Sequence, residues 1–547
     1  MCGIIGSTKY KITRNSLNDL HHRGPDARGL FSSEEISLGH TRLSIIGMQS
    51  GKQPMFSEDL NKALVFNGEI YNYLELRQEL SKFSDISTDS DTRVLLRYYE
   101  AFGIERTLQD INGMFSFALW DNIKRKLFLV RDRIGIKPLY YSIEGEDISF
   151  CSQINPIKKM IGIDRLSIDP ISVAMFFNTY YIASPNTIWN EIRSLEPGHY
   201  IEYDMDKKDL QFKKYWSLER AERNASDLGH LEALLKDSVS LRMRSDAPYG
   251  AYLSGGVDSS LIVKHLSSIR ENCKTFTAEI VDKELNEQKY AAQVAEEFNT
   301  NHTNIPIEYG EIKISFLREL VRMFDQPFAD SSIIPTYLIS KKISENVTVA
   351  LGGDGADEVF CGYNKYNYVD QHISEKFFRN QNIGFLEPMY RKDTLGYMFS
   401  KLPYETDDKQ EKLRLLDIRF FLEGDILQKI DRLSMANSLE ARVPFLDHRI
   451  VEYSNNLTYD LMFGKIRKYP IKSLLEKYFS KDFVHRSKIG FMLNFDGWND
   501  KFDKVITNSQ VRHSGIFNKN FDISTIKDGY LKFAILMFTL WYEEHYA

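Results

Sequence analysis

The sequence predicts an α/β protein built from two domains, and three features of the chain support this. Its 547 residues exceed what one hydrophobic core usually organises, so two or three domains are expected. Short strand-like runs dominate residues 1–205, whereas strands, Gly-rich turns and helices alternate beyond residue 230. From about residue 365 the apolar spacing is mostly helical and ends in YLKFAILMFTLWYEEHY.

The first domain, residues 1–205, is expected to contain layered sheets covered by helices. The runs KALVFNGEI, MFSFALWD, KLFLVRDR and PLYYSI are bounded by Gly, Asn or Asp, which is typical of strands. Between them, LELRQEL and TRVLLRYYEAFG carry helical spacing. A polar stretch within residues 206–229 predicts a linker, and residues 230–547 form the second domain.

Composition excludes several classes of protein. Hydrophobic residues make up 43% of the chain and charged residues 27%, as in an ordinary globular protein. The formal net charge of −6 provides no basic surface for nucleic acid or an anionic membrane. Because the sequence has neither a membrane-spanning apolar run nor a signal-peptide pattern, we expect a cytoplasmic protein.

The cysteines argue against a disulfide framework and a cysteine zinc site. The four of them are Cys2, Cys151, Cys273 and Cys361, widely separated and without a CxxC pair, which suits a reducing compartment. Cys2 is a special case because the start MCGIIG permits removal of Met1. Cys2 would then carry a free α-amine beside its thiol. With reference pKa values of ~8 and ~8.5, either group holds the shared proton near neutrality, so Cys2 is either a nucleophile or an incidental cysteine.

The segment SGGVDSS (254–260) predicts a phosphate-binding loop, because it follows the apolar strand APYGAYL and opens a helix. Its glycines let a ligand approach the backbone, and successive N–H groups bind anions. The alternative is an ordinary strand-to-helix turn with a serine cap. It is not a Walker loop, which requires a lysine. Asp258 beside phosphates makes sense only with Mg²⁺ between them.

A second acidic loop, GGDGADE (352–358), repeats this arrangement at another predicted strand end. Its carboxylates suit a metal site or a substrate wall, and an acidic surface turn is the alternative. Two basic segments remain, RLSMANSLEARVPFLDHR (432–449) and GKIRKYPIK (464–472). Each is either structural or a source of the fixed cations that a triphosphate needs.

These motifs carry a resemblance to a known family. In order along the chain they are MCGIIG, HHRGPD, GHTRLSII, VFNGEIYN, DINGMFSFALWD, RDRIGIKPLYY, PYGAYLSGGVDSS, LGGDGADEVFCGY, RLSMANSLEARVPFLD and SKIGF. The chain resembles the glutamine-dependent asparagine synthetases and related amidotransferases over nearly its whole length. The resemblance implies an N-terminal-nucleophile glutaminase domain, a layered αββα sandwich. It also implies a pyrophosphate-loop ATPase α/β domain with a largely helical C-terminal part.

The resemblance also implies roles for individual residues of the first domain. Cys2 resembles the nucleophile that attacks glutamine. Asn67 and Gly68 match an oxyanion hole, in which one side-chain amide and one backbone N–H face developing negative charge. The matching glutamine-binding positions are Arg42, Glu69 and Asp91.

In the second domain the resemblance implies ATP and Mg²⁺ as cofactors. Asp258 and Asp357 match the metal positions, and Lys468 matches the lysine that stabilises the adenylation transition state. Asp354 matches a catalytic acid, and Arg442 a residue that shapes the passage between domains. The matching ATP and pyrophosphate positions are Leu253, Ser254, Gly255, Gly256, Asp258, Ser259, Ser260 and Gly353.

The implied reaction hydrolyses glutamine at Cys2 and passes ammonia through a dry channel to an acyl-adenylate. The expected acceptor is aspartate, which would become asparagine. Two alternatives stay open: amidation of another carboxylate, such as a sugar uronic acid, and a degenerate homologue that binds without turnover. The oligomeric state is also open, with a homodimer as one candidate.

Four departures from the family pattern limit what the resemblance implies. Asp354 stands where authentic asparagine synthetases usually carry Glu, which withdraws the acid by about one methylene. Gln153 and Gln326 each replace a usual Glu, and Asn494 replaces a usual Pro. The Asp354 change bears on the identity of the acceptor, the Gln153 change on the channel or interface, and the Asn494 change on the local loop shape. The Gln326 change removes a charge.

Overall fold

The structure is a computed structural model that describes residues 2–83, 87–280, 287–307, 312–367, 372–486 and 500–546. Within these ranges the chain forms a first domain of two antiparallel sheets and a second domain around one parallel sheet. No helix among the described residues is long and apolar enough to cross a bilayer.

The first domain contains two six-stranded antiparallel sheets stacked face to face. The first sheet, in the order β10-β8-β9-β1-β3-β2, consists of β1 (Cys2–Ser7), β2 (Ala27–Ser32), β3 (Ser37–Arg42), β8 (Tyr140–Glu144), β9 (Asp147–Cys151) and β10 (Arg193–Ser194). The second, in the order β12-β11-β7-β6-β5-β4, consists of β4 (Met55–Phe56), β5 (Lys62–Ile70), β6 (Gly113–Asp121), β7 (Lys126–Arg131), β11 (His199–Asp204) and β12 (Asp209–Lys214).

Strand β5 shows why these sheets form layers. Successive side chains of a strand point to opposite faces. Accordingly, Ala63 and Val65 lie in the core between the two sheets, whereas Leu64 and Phe66 pack in a core beneath helices. Those helices are α1 (Tyr73–Leu80) and α2 (Asp91–Asp110). The first sheet is covered by α3 (Ile154–Ile161) and the 3-10 helix Asn15–Arg23, and α4 (Pro170–Thr179) follows. The predicted αββα sandwich is therefore confirmed.

The end of the first domain differs from the predicted boundary at residue 205. Strand β12 pairs antiparallel with β11 over its full length, from the Asp204–Asp209 pair to the His199–Lys214 pair, and so completes the second sheet. The sheet therefore ends at Lys214, and residues 209–214 are not linker. The connecting segment leads to helix α5, which begins at Leu228 and is capped by Asp227.

The second domain is organised by a five-stranded parallel sheet in the order β15-β14-β13-β16-β17. Its strands are β13 (Tyr249–Tyr252), β14 (Lys274–Ile280), β15 (Asn301–Ile307), β16 (Val349–Leu351) and β17 (Glu440–Arg442). The chain runs outward from β13 in one direction and from β16 in the other. This makes the gap between them a topological switch point, where open α/β sheets bind ligands.

Helices surround this sheet and make up most of the chain beyond residue 365, as predicted. They are α5 (Leu228–Arg242), α6 (Val257–Ile269), α7 (Gln288–Glu297), α8 (Ile314–Met323), α9 (Ile333–Ile343), α10 (Ala356–Val359), α11 (Ile373–Phe377), α12 (Thr394–Phe399), α13 (Lys409–Leu416), α14 (Gln428–Met435), α15 (His448–Asn456), α16 (Tyr459–Phe463), α17 (Tyr469–Leu475), α18 (Lys481–Val484), α19 (Asp500–Asn508) and α20 (Gly529–His545). Residues Asp417–Leu427 form a π-helix between α13 and α14. Helix α20 is the buried C-terminal helix that YLKFAILMFTLWYEEHY predicts.

Candidate active sites

Cys2 opens β1 in the middle of the first sheet and is only 6% exposed. It is paired across the strands with Arg42 of β3. Its backbone N–H donates to Asn67 Oδ1 at 3.1 Å, which joins it to β5 of the facing sheet. Burial raises the pKa of the Cys2 thiol. Formation of the thiolate at neutral pH therefore requires a base beside it.

Asn67 and Gly68 lie next to Cys2 in a tightly restricted stretch of β5. Asn67 Nδ2 donates to Ser116 Oγ at 3.4 Å while its Oδ1 accepts from Cys2, so the orientation of the amide is set from both ends. Gly68 has φ +150°, and a Cβ there would lie 2.0 Å from the carbonyl oxygen of Met114. Only glycine fits, and this fixes the backbone amide geometry next to the nucleophile.

Arg42 supports the wall of the same pocket. Its guanidinium donates to three consecutive carbonyls of the loop after β3, those of Ile46, Gly47 and Met48, at 3.2, 2.7 and 3.0 Å. A side chain at Gly51 would collide with this guanidinium, since its Cβ would lie 2.3 Å from Nη2. The loop is therefore closely packed around the cation that the resemblance assigns to the glutamine carboxylate.

Asp91, at the first residue of α2, is held by backbone amides. It accepts from the N–H groups of Ile70 at 3.0 Å and Thr92 at 2.6 Å. Burial raises its pKa to about 6 despite these hydrogen bonds. A cationic partner, such as the α-ammonium group of an amino acid, would stabilise the ionised form of this buried carboxylate.

Glu69 connects this pocket to the second domain. Its Oε2 lies 3.8 Å from Nη2 of Arg442 on β17, and burial followed by the nearby Glu440 raises its pKa. Arg442 Nε also donates to Glu440 Oε1 at 2.7 Å. The carbonyl of Arg442 accepts from Gly352 N at 2.8 Å, where the acidic loop begins. One residue therefore touches both candidate sites.

Arg23, from the segment HHRGPD, is a contact of Cys2 that the sequence analysis left without a role. Its Nε donates to the carbonyl of Cys2 at 3.1 Å. Its two terminal nitrogens form a fully buried pair with Asp431 of α14 at 2.8 and 3.2 Å. The HHRGPD motif is visible in the sequence, but Asp431, the partner of Arg23, lies 408 residues further along the chain.

The loop SGGVDSS lies at the carboxyl end of β13 and leads into α6, at the switch point. Ser259 Oγ accepts from Ser254 N at 3.2 Å and lies 3.0 Å from Ser254 Oγ, which closes the loop on itself. Gly255 has φ +74°, and its Cβ would lie 2.6 Å from Ala291 N. Leu253 and Ser260 are buried toward the core, so their backbone alone is available to a ligand.

The acidic loop lies at the carboxyl end of the neighbouring strand, β16. A Cβ at Gly353 would lie 2.8 Å from Cβ of Asp258, so the two loops meet at a glycine. Lys468 Nζ lies 2.7 Å from Asp258 Oδ2 and 2.6 Å from Asp357 Oδ1. The two predicted metal ligands thus converge on one cation. Their hard oxygen donors fit Mg²⁺.

Lys468 reaches this position from a constrained backbone. It caps α17 with φ 56°, in the left-handed region that a lysine seldom adopts. A Cβ at Gly362 would lie 2.2 Å from Lys468 Cε and 2.0 Å from Asp357 Oδ1. The side chain therefore passes through a gap that only glycine leaves open.

Negative charge is concentrated around this lysine. Asp354 lies in the same loop, half-buried, and Glu358 follows Asp357 directly. Burial, and then the charge of Asp357, raise the pKa of Glu358 to about 7. The phenol of Tyr363 donates to Glu358 Oε1. Such an acidic cluster fits a site that receives divalent cations with phosphate.

The structure explains one departure from the family pattern. Gln326 accepts from Ile188 N and donates to the carbonyl of Ile182, both at 3.3 Å. A glutamate could not make the second bond, so the amide suits this site.

Gln153, which caps α3, is 3% exposed, and its Oε1 has no hydrogen-bond partner among the described residues. The SKIGF motif and Asn494 lie outside the described residues.

Comparison with known proteins agrees with this two-site organisation. The family model for the glutamine amidotransferase domain matches residues 1–216, and that for asparagine synthase matches residues 230–542. Asparagine synthetase (glutamine-hydrolyzing) 1 of Bacillus subtilis (strain 168) is 30% identical over 96% of this chain and 93% of its own. Asparagine synthetase (glutamine-hydrolyzing) 3 of the same organism is 29% identical over 89% and 86%. The chain therefore belongs to the asparagine synthase family and is a glutamine-hydrolysing ligase.

Proposed function

We propose that this enzyme transfers the amide nitrogen of glutamine to a carboxylate that it first activates with ATP, with aspartate as acceptor and asparagine as product. The observation that carries the proposal is the pairing of two sites in one chain. Cys2 lies against Asn67 in the first, and Lys468 joins Asp258 and Asp357 in the second.

In the first site, the Cys2 thiolate attacks the side-chain carbonyl carbon of glutamine, with Asn67 and Gly68 stabilising the oxyanion. The carbon–nitrogen bond then breaks, and ammonia leaves after taking up the proton that the α-amine of Cys2, freed by removal of Met1, accepted from the thiol. A γ-glutamyl thioester remains, which water hydrolyses to glutamate. Arg42 binds the glutamine α-carboxylate, and Asp91 and Glu69 bind the ammonium end.

In the second site, the SGGVDSS loop holds the β- and γ-phosphates of ATP by its backbone N–H groups and serine hydroxyls. A carboxylate oxygen of the acceptor attacks the α-phosphorus, and the bond to the bridging oxygen breaks to release pyrophosphate. Lys468 stabilises the charge that develops there. Mg²⁺, held by Asp258 and Asp357, would neutralise the phosphate oxygens.

Ammonia then attacks the acyl carbon of the adenylate, the nitrogen gives up one proton to the carboxylate of Asp354, and AMP leaves with the bonding electron pair. Only neutral ammonia has the lone pair for this step, so its route must exclude water. A small cavity of ≈ 20 Å³ lies between the domains, lined by Arg131 and Tyr140 of the first and by Gln326, Asp431 and Arg432 of the second. A space of this size holds about one water-sized molecule, which supports its use as one station on a passage for ammonia.

The alternative acceptor is a sugar uronic acid. It is favoured by one observation, Asp354, whose carboxylate is one methylene shorter than the usual glutamate. The repositioned acid would leave room for a bulkier acceptor.

The test is pyrophosphate release from ATP and Mg²⁺ with ammonium supplied, comparing aspartate with a panel of uronic acids. Release with aspartate and formation of asparagine are the expected result. Release with a uronic acid alone would establish the alternative. An absence of release with every acceptor would contradict the proposed adenylation chemistry.

A further inference from the structure

Arg486 contacts the SGGVDSS loop, and the steps above assign it no part. Its Nη2 donates to the carbonyl of Gly255 at 2.5 Å, and its Nη1 donates to the carbonyl of Phe483 at 2.6 Å. Gly255 lies 231 positions before Arg486, so this contact ties the loop to the C-terminal helical part of the domain.

Two aromatic rings restrict the orientation of the Arg486 guanidinium. Its central carbon lies 3.9 Å from the ring centroid of Tyr290 and 4.5 Å from that of Phe483. The two rings are themselves in edge-to-face contact, with centroids 5.8 Å apart and an interplanar angle of 76°. Because a guanidinium is attracted to aromatic faces and carries its donors in a rigid plane, these rings set the direction in which Nη2 donates. Tyr290, Phe483 and Arg486 are called here the loop clamp.

Helix α7 restrains Gly255 from a second direction. Gly255 has φ +74°, and a Cβ at this position would lie 2.7 Å from Cβ of Tyr290. Tyr290 therefore lies against both the backbone of Gly255 and the guanidinium of Arg486. Two consecutive glycines give a loop many accessible conformations, so one conformation persists only where neighbouring groups hold it.

The loop clamp determines which way the amide of Gly256 points. In a trans peptide bond the C=O and the following N–H point to opposite sides. Since the Gly255 carbonyl points to Arg486, the N–H of Gly256 points away from it and donates to Ser254 Oγ at 3.2 Å. Ser259 Oγ lies 3.0 Å from the same hydroxyl. The amide thus faces the serine hydroxyls to which the proposed function assigns phosphate.

We propose that Arg486 is a positioning residue for pyrophosphate: by holding the Gly255 carbonyl, it keeps the Gly256 N–H directed at the phosphate groups that leave as pyrophosphate. The inference rests on the proposed function, because it takes the SGGVDSS loop to bind the β- and γ-phosphates of ATP. Both terminal nitrogens of Arg486 donate to backbone carbonyls, so the residue acts through the loop.

Loss of this contact should affect some ligands and spare others. Without Arg486 the peptide between Gly255 and Gly256 is free to rotate and present its carbonyl to the phosphates. A carbonyl oxygen repels an anion, whereas an N–H group binds it. Pyrophosphate and ATP should therefore bind less tightly, while AMP, which lacks the β- and γ-phosphates, should be unaffected.

The first experiment uses Arg486→Met, which removes the donors and keeps an unbranched apolar chain between the two rings. Calorimetric titration of the whole enzyme with inorganic pyrophosphate and with AMP, each with Mg²⁺, gives the two dissociation constants. We expect Kd for pyrophosphate to rise by about 10-fold and Kd for AMP to change by less than about two-fold, because a single anion-binding donor is misdirected. Retained AMP binding would also show that the second domain is folded.

The second experiment measures KM in the pyrophosphate-release assay and adds two variants. KM for ATP should rise by about 10-fold in Arg486→Met, with KM for the acceptor unchanged. Arg486→Lys, which keeps a cationic donor beside the rings, should recover part of the loss. Arg270→Met is the matched control, since Arg270 also lies over a tyrosine ring, 4.9 Å from that of Tyr249, but at the opposite end of α6 from the loop. It should leave every constant unchanged.

Equal weakening of pyrophosphate and AMP binding in Arg486→Met would show a general structural role and overturn the inference, as would unchanged binding of both. These two results would leave the proposed function in place. Failure of the unaltered enzyme to bind pyrophosphate at all would instead overturn the role proposed for the SGGVDSS loop, and the inference with it.

Discussion

The guanidinium of Arg442 lies 3.8 Å from the carboxylate of Glu69, so the sheet of the synthase domain reaches into the glutamine pocket. The same residue also donates through Nη1 to the carbonyls of Arg242 and Arg244 at 2.7 Å each. Because its own carbonyl accepts from Gly352, displacement of Arg442 would disturb both sites.

Arg442→Lys should therefore loosen the connection between the two half-reactions. Lysine keeps the charge beside Glu69 and Glu440 but loses the planar set of donors. We expect glutamate to be formed in at least about two-fold excess over pyrophosphate, against a ratio near one for the unaltered enzyme. Parallel assays of glutamate and pyrophosphate check this. A ratio that stays at one would show that Arg442 has no part in coupling.

Cys2→Ala should abolish glutamine-dependent synthesis and leave ammonia-dependent synthesis intact, because it removes the nucleophile without touching the second site. The measurement is product formation with glutamine and with ammonium chloride. Cys273→Ala serves as the control, since Cys273 is likewise a buried thiol but lies in the synthase domain. Glutaminase activity remaining in Cys2→Ala would disprove the assignment of the nucleophile.

Lys468→Gln should reduce pyrophosphate release by about 100- to 1,000-fold, the usual cost of losing a preorganised charge at a transition state. Glutamine hydrolysis should persist. The matched control is Lys477→Gln, which removes an exposed lysine paired with Glu232 just beyond the other end of α17. Comparable pyrophosphate release in both variants would mean that Lys468 holds the acidic pair together and takes no part in the chemistry.

Glutamine binding should weaken as the pH falls through about 6. Burial raises the pKa of Asp91 to about 6, so its carboxylate is ionised above that pH and neutral below it. Only the ionised form attracts the α-ammonium group of glutamine. KM for glutamine should thus rise by about ten-fold per pH unit below the pKa. Measurement of glutamate release between pH 5 and 8 tests this. In Asp91→Asn the inflection should disappear, with a high KM throughout.

The local elements of both sites were predictable from the sequence. The strand, turn and helix around SGGVDSS follow from an apolar run, two glycines and a helical pattern in consecutive residues, and the structure has them as β13 and α6. The strand that places Asn67 and Gly68 likewise follows from the alternation in KALVFNGEI. In each case the signal lies within about ten residues.

Features that depend on pairing across the chain were missed. Strand β17 has only three residues and exists because it pairs with β16, whereas its sequence lies in the region beyond residue 365 for which the apolar spacing predicts mostly helix. Strand β12 was assigned to the linker because its mixed polar sequence has little strand character. Its pairing with β11 supplies the missing stabilisation.

The sequence by itself determined the two-domain plan, the layered and parallel sheets, and the family to which its motifs belong. Only the tertiary structure decided which charges meet. Lys468 pairs with Asp258 across 210 positions, and Arg23 with Asp431 across 408. Local spacing reports periodicity and turns, whereas ion pairing in a buried site depends on how distant elements pack.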